Sequence, residues 1–355
     1  MKIGLVRRGY SRTGGAEAYL RRFAEAAVAA GHEVILFAEQ WPAADWPWAH
    51  VRVHSRGPWQ FARALQALRP RERCDFLFSL ERVFSCDAYR AGDGVHAAWL
   101  RRRAEFEPFW RPWFRRFSAK HRETLALEQQ LFSPQGAGTV IANSQLVKRE
   151  IEQEFHFAPE HIHVIHNGVP ATTADLSLRA TTRRDLGLRD DQLALLFVGS
   201  GWERKGLRYA IETVNALPQS ARLLVIGRGS MRGLPGNLRR TRFLGPMSGL
   251  GRFYASADVF ILPTLYDPFS NACLEALAAG LPVVTTRHNG FSEIITYGED
   301  GGTVHDPRDV PSLVAEVQNW SDPTRRASAR PRLRELGARF SIEENVRQTL
   351  ALITH

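Results

Sequence analysis

The chain has 355 residues, 44% hydrophobic and 24% charged, which suits two domains and excludes disorder, collagen-like repetition or a coiled coil as a description of the whole. No stretch approaches the ~18 uninterrupted apolar residues of a membrane-spanning helix, and MKIGLVRRGY lacks the apolar run of a secretory signal, so a cytoplasmic location is expected. Lys plus Arg exceed Asp plus Glu by 10, which points to an anionic partner.

The first strand is predicted over residues 3–6. After the loop Arg12-Thr13-Gly14-Gly15, a helix is expected from about Ala16 to Ala30, with Tyr19, Leu20, Phe23 and Ala27 on one face and Gly31 ending it. Further strands are read at 34–37, 50–53, 76–80, 139–142 and 163–165. Short apolar runs joined by helical segments argue for parallel strands with crossovers, a Rossmann-like layer.

The second half repeats the scheme. Strands are expected at 193–198, 223–226, 259–262 and 282–285, and helices at 206–217, at 269–279 and, last, from Ser341 to Ile353. Asn167-Gly168-Val169-Pro170 and the polar stretch to Arg184 read as a hinge. The expected architecture is α/β: two Rossmann-like domains facing a cleft. An N-terminal domain spans 1–167 and a C-terminal domain spans 168–340, with the 341–355 helix packing back on the first. Cys74, Cys86 and Cys273 have no metal-like spacing and read as ordinary small apolar residues.

In open α/β sheets, ligands bind beyond the carboxyl ends of the strands. The unusual residues fall there. Gly14-Gly15 lies between the first strand and its helix, with Glu17 in the first turn. Gly199 ends a strand, Arg204-Lys205-Gly206 opens a helix, and Gly227-Arg228-Gly229 ends a further strand. In Asp267-Pro268-Phe269-Ser270-Asn271 a helix begins, and its unpaired N–H groups suit a diphosphate. Glu275, eight residues after Asp267, falls on the same side two turns in, where it could accept from ribose hydroxyls. Cations at Arg204 and Lys205 oppose the dipole of a following helix, which favours a bound anion.

The block DPFSNACLE followed by ALAAGLPVV resembles the D/E-x7-E segment of the retaining glycosyltransferases of sequence family 4. These have two Rossmann-like domains (the GT-B architecture) and use nucleotide-sugar donors without a catalytic metal. GGAE, VIANSQLVKREI, IHVIHNGV, LLFVGSGWERKGL and VVTTRHNGFSEII match in order, so the resemblance spans nearly the whole chain. Within the family, AYRAGDGVH and the basic aromatic segment after it are most similar to the lipopolysaccharide core glucosyltransferases.

The resemblance implies that Glu275 binds the nucleotide ribose, while Arg204, Lys205 and the amides of Phe269, Ser270 and Asn271 neutralise the donor diphosphate. Gly14, Gly15, Glu17, Gly199 and Gly227 join them on the donor side. Asp267 stands where the family usually has Glu, one methylene longer, to meet a hydroxyl of the donor sugar. Asp93 is the implied acceptor-side acid, with His96 as its rival.

The implied reaction is metal-independent transfer of a hexose, glucose from UDP-glucose, to a membrane-anchored saccharide such as lipopolysaccharide core. The chain has no D-x-D for a metal and no P-loop. No metal and no cofactor beyond the donor are expected. A UDP-N-acetylglucosamine epimerase on the same architecture is one alternative. A basic nucleic-acid-binding protein is another, disfavoured because it leaves the nucleotide-sugar constellation unexplained.

Between Arg101 and Arg122, eight basic residues meet two acidic ones, so most of the positive excess lies in one segment. It interleaves with Phe106, Phe109, Trp110, Trp113, Phe114 and Phe117, and a helix is expected from Pro112 toward Phe132. Such a segment suits peripheral attachment to the anionic inner face of the cytoplasmic membrane.

Overall fold

The computed structural model describes residues 1–9, 15–42, 45–108, 118–170 and 174–354. They divide into two compact units: Met1–His166 with Ile342–His355, and Asn167–Ser341.

In the first unit, seven parallel strands lie in the order β3-β2-β1-β4-β5-β6-β7. They are β1 (Lys2–Val6), β2 (Glu33–Ala38), β3 (Ala49–Arg52), β4 (Phe76–Ser79), β5 (Cys86–Ala91), β6 (Ala137–Ala142) and β7 (Ile162–Val164). Successive side chains of a strand point to opposite faces, and β2 shows the consequence. Val34, Leu36 and Ala38 join Leu20 and Phe23 of the helix Gly15–Ala29 in one core, while Ile35 and Phe37 join Phe61 and Leu65 of the helix Pro58–Ala67 in the other. Both faces are covered, which is why these strands read as continuous apolar runs.

The helix Ile342–Thr354 packs on this unit: Ile342, Val346 and Ile353 enter its core, and Tyr19 Oη donates to Thr349 Oγ1 at 3.2 Å.

The second unit holds β8 (Ala194–Val198), β9 (Arg222–Ile226), β10 (Thr241–Gly245), β11 (Val259–Leu262), β12 (Val283–Thr286) and β13 (Gly301–Val304), parallel and in the order β10-β9-β8-β11-β12-β13. Its path repeats that of the first six strands of the other sheet. In each sheet the strand order reverses beside the first strand, between β1 and β4 and between β8 and β11. Open α/β sheets place ligands at this switch point.

Three strands escape the sequence reading: β5, β10 and β13. In β5 the polar Asp87 and Arg90 mask the apolar run. Asp87 accepts from the Leu77 amide at 2.7 Å and pairs with Arg71 at 2.8 Å, while the Arg90 guanidinium lies 4.0 Å over the Tyr19 ring. The helix expected at 269–279 runs Asn271–Ala278, because Ser270 is its N-cap, its hydroxyl accepting from the Cys273 amide. The start expected at Pro112 lies outside the described residues, and the helix that follows is Ala119–Leu131. Cys74, Cys86 and Cys273 are free and buried.

Candidate active site

At the switch point of the second sheet, the loop after β8 carries a single helical turn, Trp202–Lys205, and then the helix Leu207–Ala216. Gly206 joins them at φ +73°, and a Cβ there would lie 1.8 Å from the Pro263 carbonyl oxygen, so only glycine lets this loop meet the one after β11. The two loops are then tied together. The Arg204 carbonyl accepts from the Leu265 amide and from Thr264 Oγ1, both at 2.8 Å, and the Arg204 guanidinium donates to the Tyr266 carbonyl at 3.1 Å. This holds Lys205 against Asp267: Lys205 Nζ donates to Asp267 Oδ2, and Arg204 Nη1 stands 3.9 Å from the same oxygen.

Asp267 is buried, and its main chain is fixed by Asp267 N–H to His288 O and Gly290 N–H to Asp267 O, both 2.9 Å. An ammonium has three donors, and Asp267 takes one, leaving capacity for phosphate oxygens.

Ser270 requires a correction. Its amide is spent on Asn289 Oδ1 at 3.1 Å, so it does not point at a ligand. Phe269 is buried and packs edge-on against Phe291, 6.0 Å between ring centroids. At this helix start the Cys273 and Leu274 amides are bound by Ser270, and among the described residues no hydrogen bond takes up those of Asn271 and Ala272, the latter not singled out from the sequence. Asn289, also missed, has a carboxamide that additionally accepts from the Phe291 amide at 3.2 Å and donates to Thr285 Oγ1 at 3.0 Å. It pins the 287–291 loop to the helix start; the Asn-Gly pair in RHNGF is the signal that could have found it.

Glu275 lies one helical turn inside, half-buried, and accepts from Tyr254 Oη at 2.8 Å. Burial raises its carboxyl above the ordinary range, and the Tyr254 bond opposes that shift. Gly227 has to lack a side chain: at φ +123°, its Cβ would sit 2.1 Å from the Gly199 carbonyl oxygen, whereas a Cβ on Gly199 would meet the Lys205 stem at 3.4 Å. The structure thus brings Gly199, Arg204, Lys205, Gly227, Asp267, Asn271 and Glu275 to one unit, on the carboxyl side of its strands.

The remaining candidates belong to the first unit. Gly14 lies outside the described residues, and Gly15 begins the helix Gly15–Ala29. Glu17 is buried and accepts from Arg7 at 3.2 Å; Arg7 also donates to Glu81 at 2.9 Å. Arg7 follows β1 and Glu81 follows β4, so they mark the first switch point, and neither was read from the sequence. Burial lifts the Glu81 carboxyl, which Arg7 counteracts.

Asp93 is exposed in the turn after β5. His96 begins the helix His96–Ala104, whose first amides are capped from a distance: His96 N–H donates to Glu128 Oε1 at 2.6 Å and Ala97 N–H to Glu128 Oε2 at 3.2 Å. Glu128 has no exposed surface and is paired with Arg82 at 2.9 Å, whose guanidinium also donates to the Gly94 carbonyl at 2.8 Å. The Asp93 turn and His96 are therefore held by a buried ion pair. The His96 ring meets His121, Nε2 to Nδ1, at 3.0 Å. Burial, then Arg82, push His96 down to about 4, so at neutral pH the imidazole is uncharged and can donate or accept a hydrogen bond.

The family models match this division. Residues 13–173 match Glycosyltransferase Family 4, and residues 192–322 match Glycosyl transferases group 1. The chain belongs to these glycosyltransferases. Family membership sets aside the epimerase reading.

Among its relatives, an uncharacterized glycosyltransferase of Methanocaldococcus jannaschii is 34% identical over 46% of this chain and 45% of its own length. The lipopolysaccharide glucosyltransferase WaaG of Escherichia coli is 24% identical over 84% of this chain and 83% of its own. Apart from WaaG, the chain spans about half the length of the curated relatives it matches. The WaaG crystal structure superimposes with a TM-score of 0.82 over 99% of both chains at 20% identity, and that of Anabaena HepE in complex with UDP and glucose with 0.73 at 17%, covering 100% of this chain and 99% of its own. The fold is that of the GT-B enzymes.

Proposed function

We propose that this glycosyltransferase moves a hexose, glucose from UDP-glucose, to a membrane-anchored saccharide such as lipopolysaccharide core, with retention of configuration and without a metal. The observation that carries this reading is the Lys205–Asp267 pair at the second switch point, flanked by Arg204, the Asn271 and Ala272 amides and Glu275. In the transfer, the bond from sugar C1 to the β-phosphate oxygen breaks, and a bond to the acceptor oxygen forms on the same face. The departing phosphate takes the acceptor proton.

Negative charge grows on the β-phosphate as it leaves, and fixed cations stabilise it without reorganising. Glu275 holds the ribose, and Asp267 meets a hydroxyl of the sugar. Asp93, with His96 beside it, receives the acceptor. The likeness to WaaG supports the lipopolysaccharide acceptor, and the UDP and glucose of HepE support the donor. The enzyme works as a cytoplasmic, peripheral protein on the anionic inner membrane face, attached through residues 101–122, and it needs no nucleic acid.

Incubation with UDP-glucose and a heptose-terminated core acceptor tests the reading. UDP release should depend on the acceptor, the product should keep the anomeric configuration of the donor, and both should persist in excess EDTA. Release that stops in EDTA and returns with Mn²⁺ or Mg²⁺ would overturn the metal-free mechanism.

A further inference from the structure

Tyr254 stands 21 residues from Glu275 in sequence, on the helix Gly251–Ser256, and its side chain is 1% exposed. Its ring packs against Phe260 of β11, 6.3 Å between centroids, which fixes where its oxygen lies. The phenol O–H then donates to Glu275 Oε2 at 2.8 Å. No other hydrogen bond or ion pair to the Glu275 carboxylate occurs among the described residues. A carboxylate accepts about four hydrogen bonds, so one is filled from inside the protein and the rest stay available. Glu carries three rotatable side-chain bonds, and an anchored oxygen removes most of the freedom that ligand binding would otherwise have to freeze.

We propose that Tyr254 is the positioning residue of the nucleotide site: by holding one oxygen of Glu275 it presents the other to the vicinal hydroxyls of a ribose. The inference rests on the reading of Glu275 as a nucleoside-binding residue and deepens it. Tyr254 touches no ligand itself, so its effect is confined to ligands that carry the hydroxyls Glu275 receives. A hydrogen bond to a charged group, once removed, costs affinity by about tenfold or more.

The experiment is titration calorimetry with UDP and with 2′,3′-dideoxy-UDP, on the wild type, Tyr254→Phe, Glu275→Gln and the double variant. Tyr254→Phe keeps the ring and its packing, and Glu275→Gln keeps the phenol's partner, so one reports if the other misfolds. The wild type should prefer UDP over the dideoxy compound. Tyr254→Phe should weaken UDP about tenfold and leave the dideoxy compound unchanged, and the double variant should bind UDP no worse than Glu275→Gln. Equal weakening of both ligands would make Tyr254 a packing residue and overturn the inference, as would unchanged UDP binding. A wild type that binds UDP and the dideoxy compound equally would also overturn it. A wild type that binds no nucleoside diphosphate (UDP, GDP or ADP) would instead bring down the nucleotide-sugar reading, and the inference with it.

Discussion

The two switch points are built alike and charged oppositely. In each, a cation from the loop after the first strand meets an acid from the loop after the fourth: Arg7 with Glu81 in one unit, Lys205 with Asp267 in the other. Among the described residues of the first unit, Arg7 serves two carboxylates, Glu17 and Glu81, the Arg8 amide also donates to Glu81 at 3.3 Å, and the exposed Asp93 follows the neighbouring strand. In the second, the single Asp267 serves two cations, Lys205 and Arg204. A local excess of positive charge selects an anion such as a diphosphate, whereas a local excess of carboxylate suits hydroxyl-rich ligands. Among the described residues, one topology thus carries two differently charged edges, the partner in the majority being reversed.

Substitution at the buried ion pair behind the first edge should cost mainly stability, and substitution at the second switch point mainly rate. The largest effect is expected from Glu128→Ala, which strands Arg82 in the interior and uncaps the helix His96–Ala104. Breaking a buried pair from one side costs about 3–5 kcal/mol, read as a lower urea midpoint of the first unit. An unfolding free energy within about 0.5 kcal/mol of wild type would remove the ion pair from the account.

Next come Lys205→Ala and Glu275→Ala. Losing a partner of the transition-state charge at Lys205 should lower kcat by about 10²–10³ and also lower the thermal transition, because the buried Asp267 then keeps only Arg204 at 3.9 Å, while the protein still folds; Glu275→Ala should remove most turnover. Near-normal kcat in Lys205→Ala would break the comparison at its centre.

A smaller effect is expected at the membrane. The arginines at the start of the basic segment have partners within the protein. Arg101 pairs with Glu154, Arg103 with Glu107 at 2.9 Å, and Arg102 is buried, paired with Glu105 and 4.7 Å over the Phe106 ring. Residues 109–117, with Arg111, Arg115 and Arg116, lie outside the described residues. Arg115→Ser with Arg116→Ser should weaken co-sedimentation with phosphatidylglycerol vesicles, at roughly 1 kcal/mol per residue, while turnover of a short soluble acceptor is kept. Equal binding of the wild type to neutral and anionic vesicles would refute electrostatic attachment.

The last is a pH dependence. His96 is protonated only near pH 4 in the folded chain but near 6.5 when unfolded, so between those values the unfolded state holds more protons. Stability should fall as pH drops from 6.5 to 4, and His96→Gln should flatten that stretch of the curve. An unchanged slope would place the acid sensitivity elsewhere.

Much of this was legible in the sequence, because a parallel sheet buries both faces and leaves continuous apolar runs such as ALLFV in β8. The acid pair Asp267 and Glu275 and the Arg204-Lys205 dipeptide were visible because short-range spacing decides where they fall. What stayed hidden depends on contacts distant in the chain. The charges of β5 look like a loop until Arg71 and Tyr19 are placed beside them. Glu128 sits mid-helix, 32 residues from the amide of His96 that it caps, and only the fold reveals the partner. Tyr254 reads as one more core aromatic.

The chain leaves the first unit after His166 and returns to it only at Ile342. On the ribosome, synthesis of the intervening 175 residues takes about 9–35 s at ~5–20 residues per second. Throughout that interval Tyr19 lacks Thr349, Arg90 lacks Asn345, and the core lacks Ile342, Val346 and Ile353. The second unit is continuous and can close while the first still waits for its last helix. The unit whose synthesis begins first is thus the last to have all of its chain, and until then the helix Gly15–Ala29 lacks the apolar cover of Ile342, Val346 and Ile353.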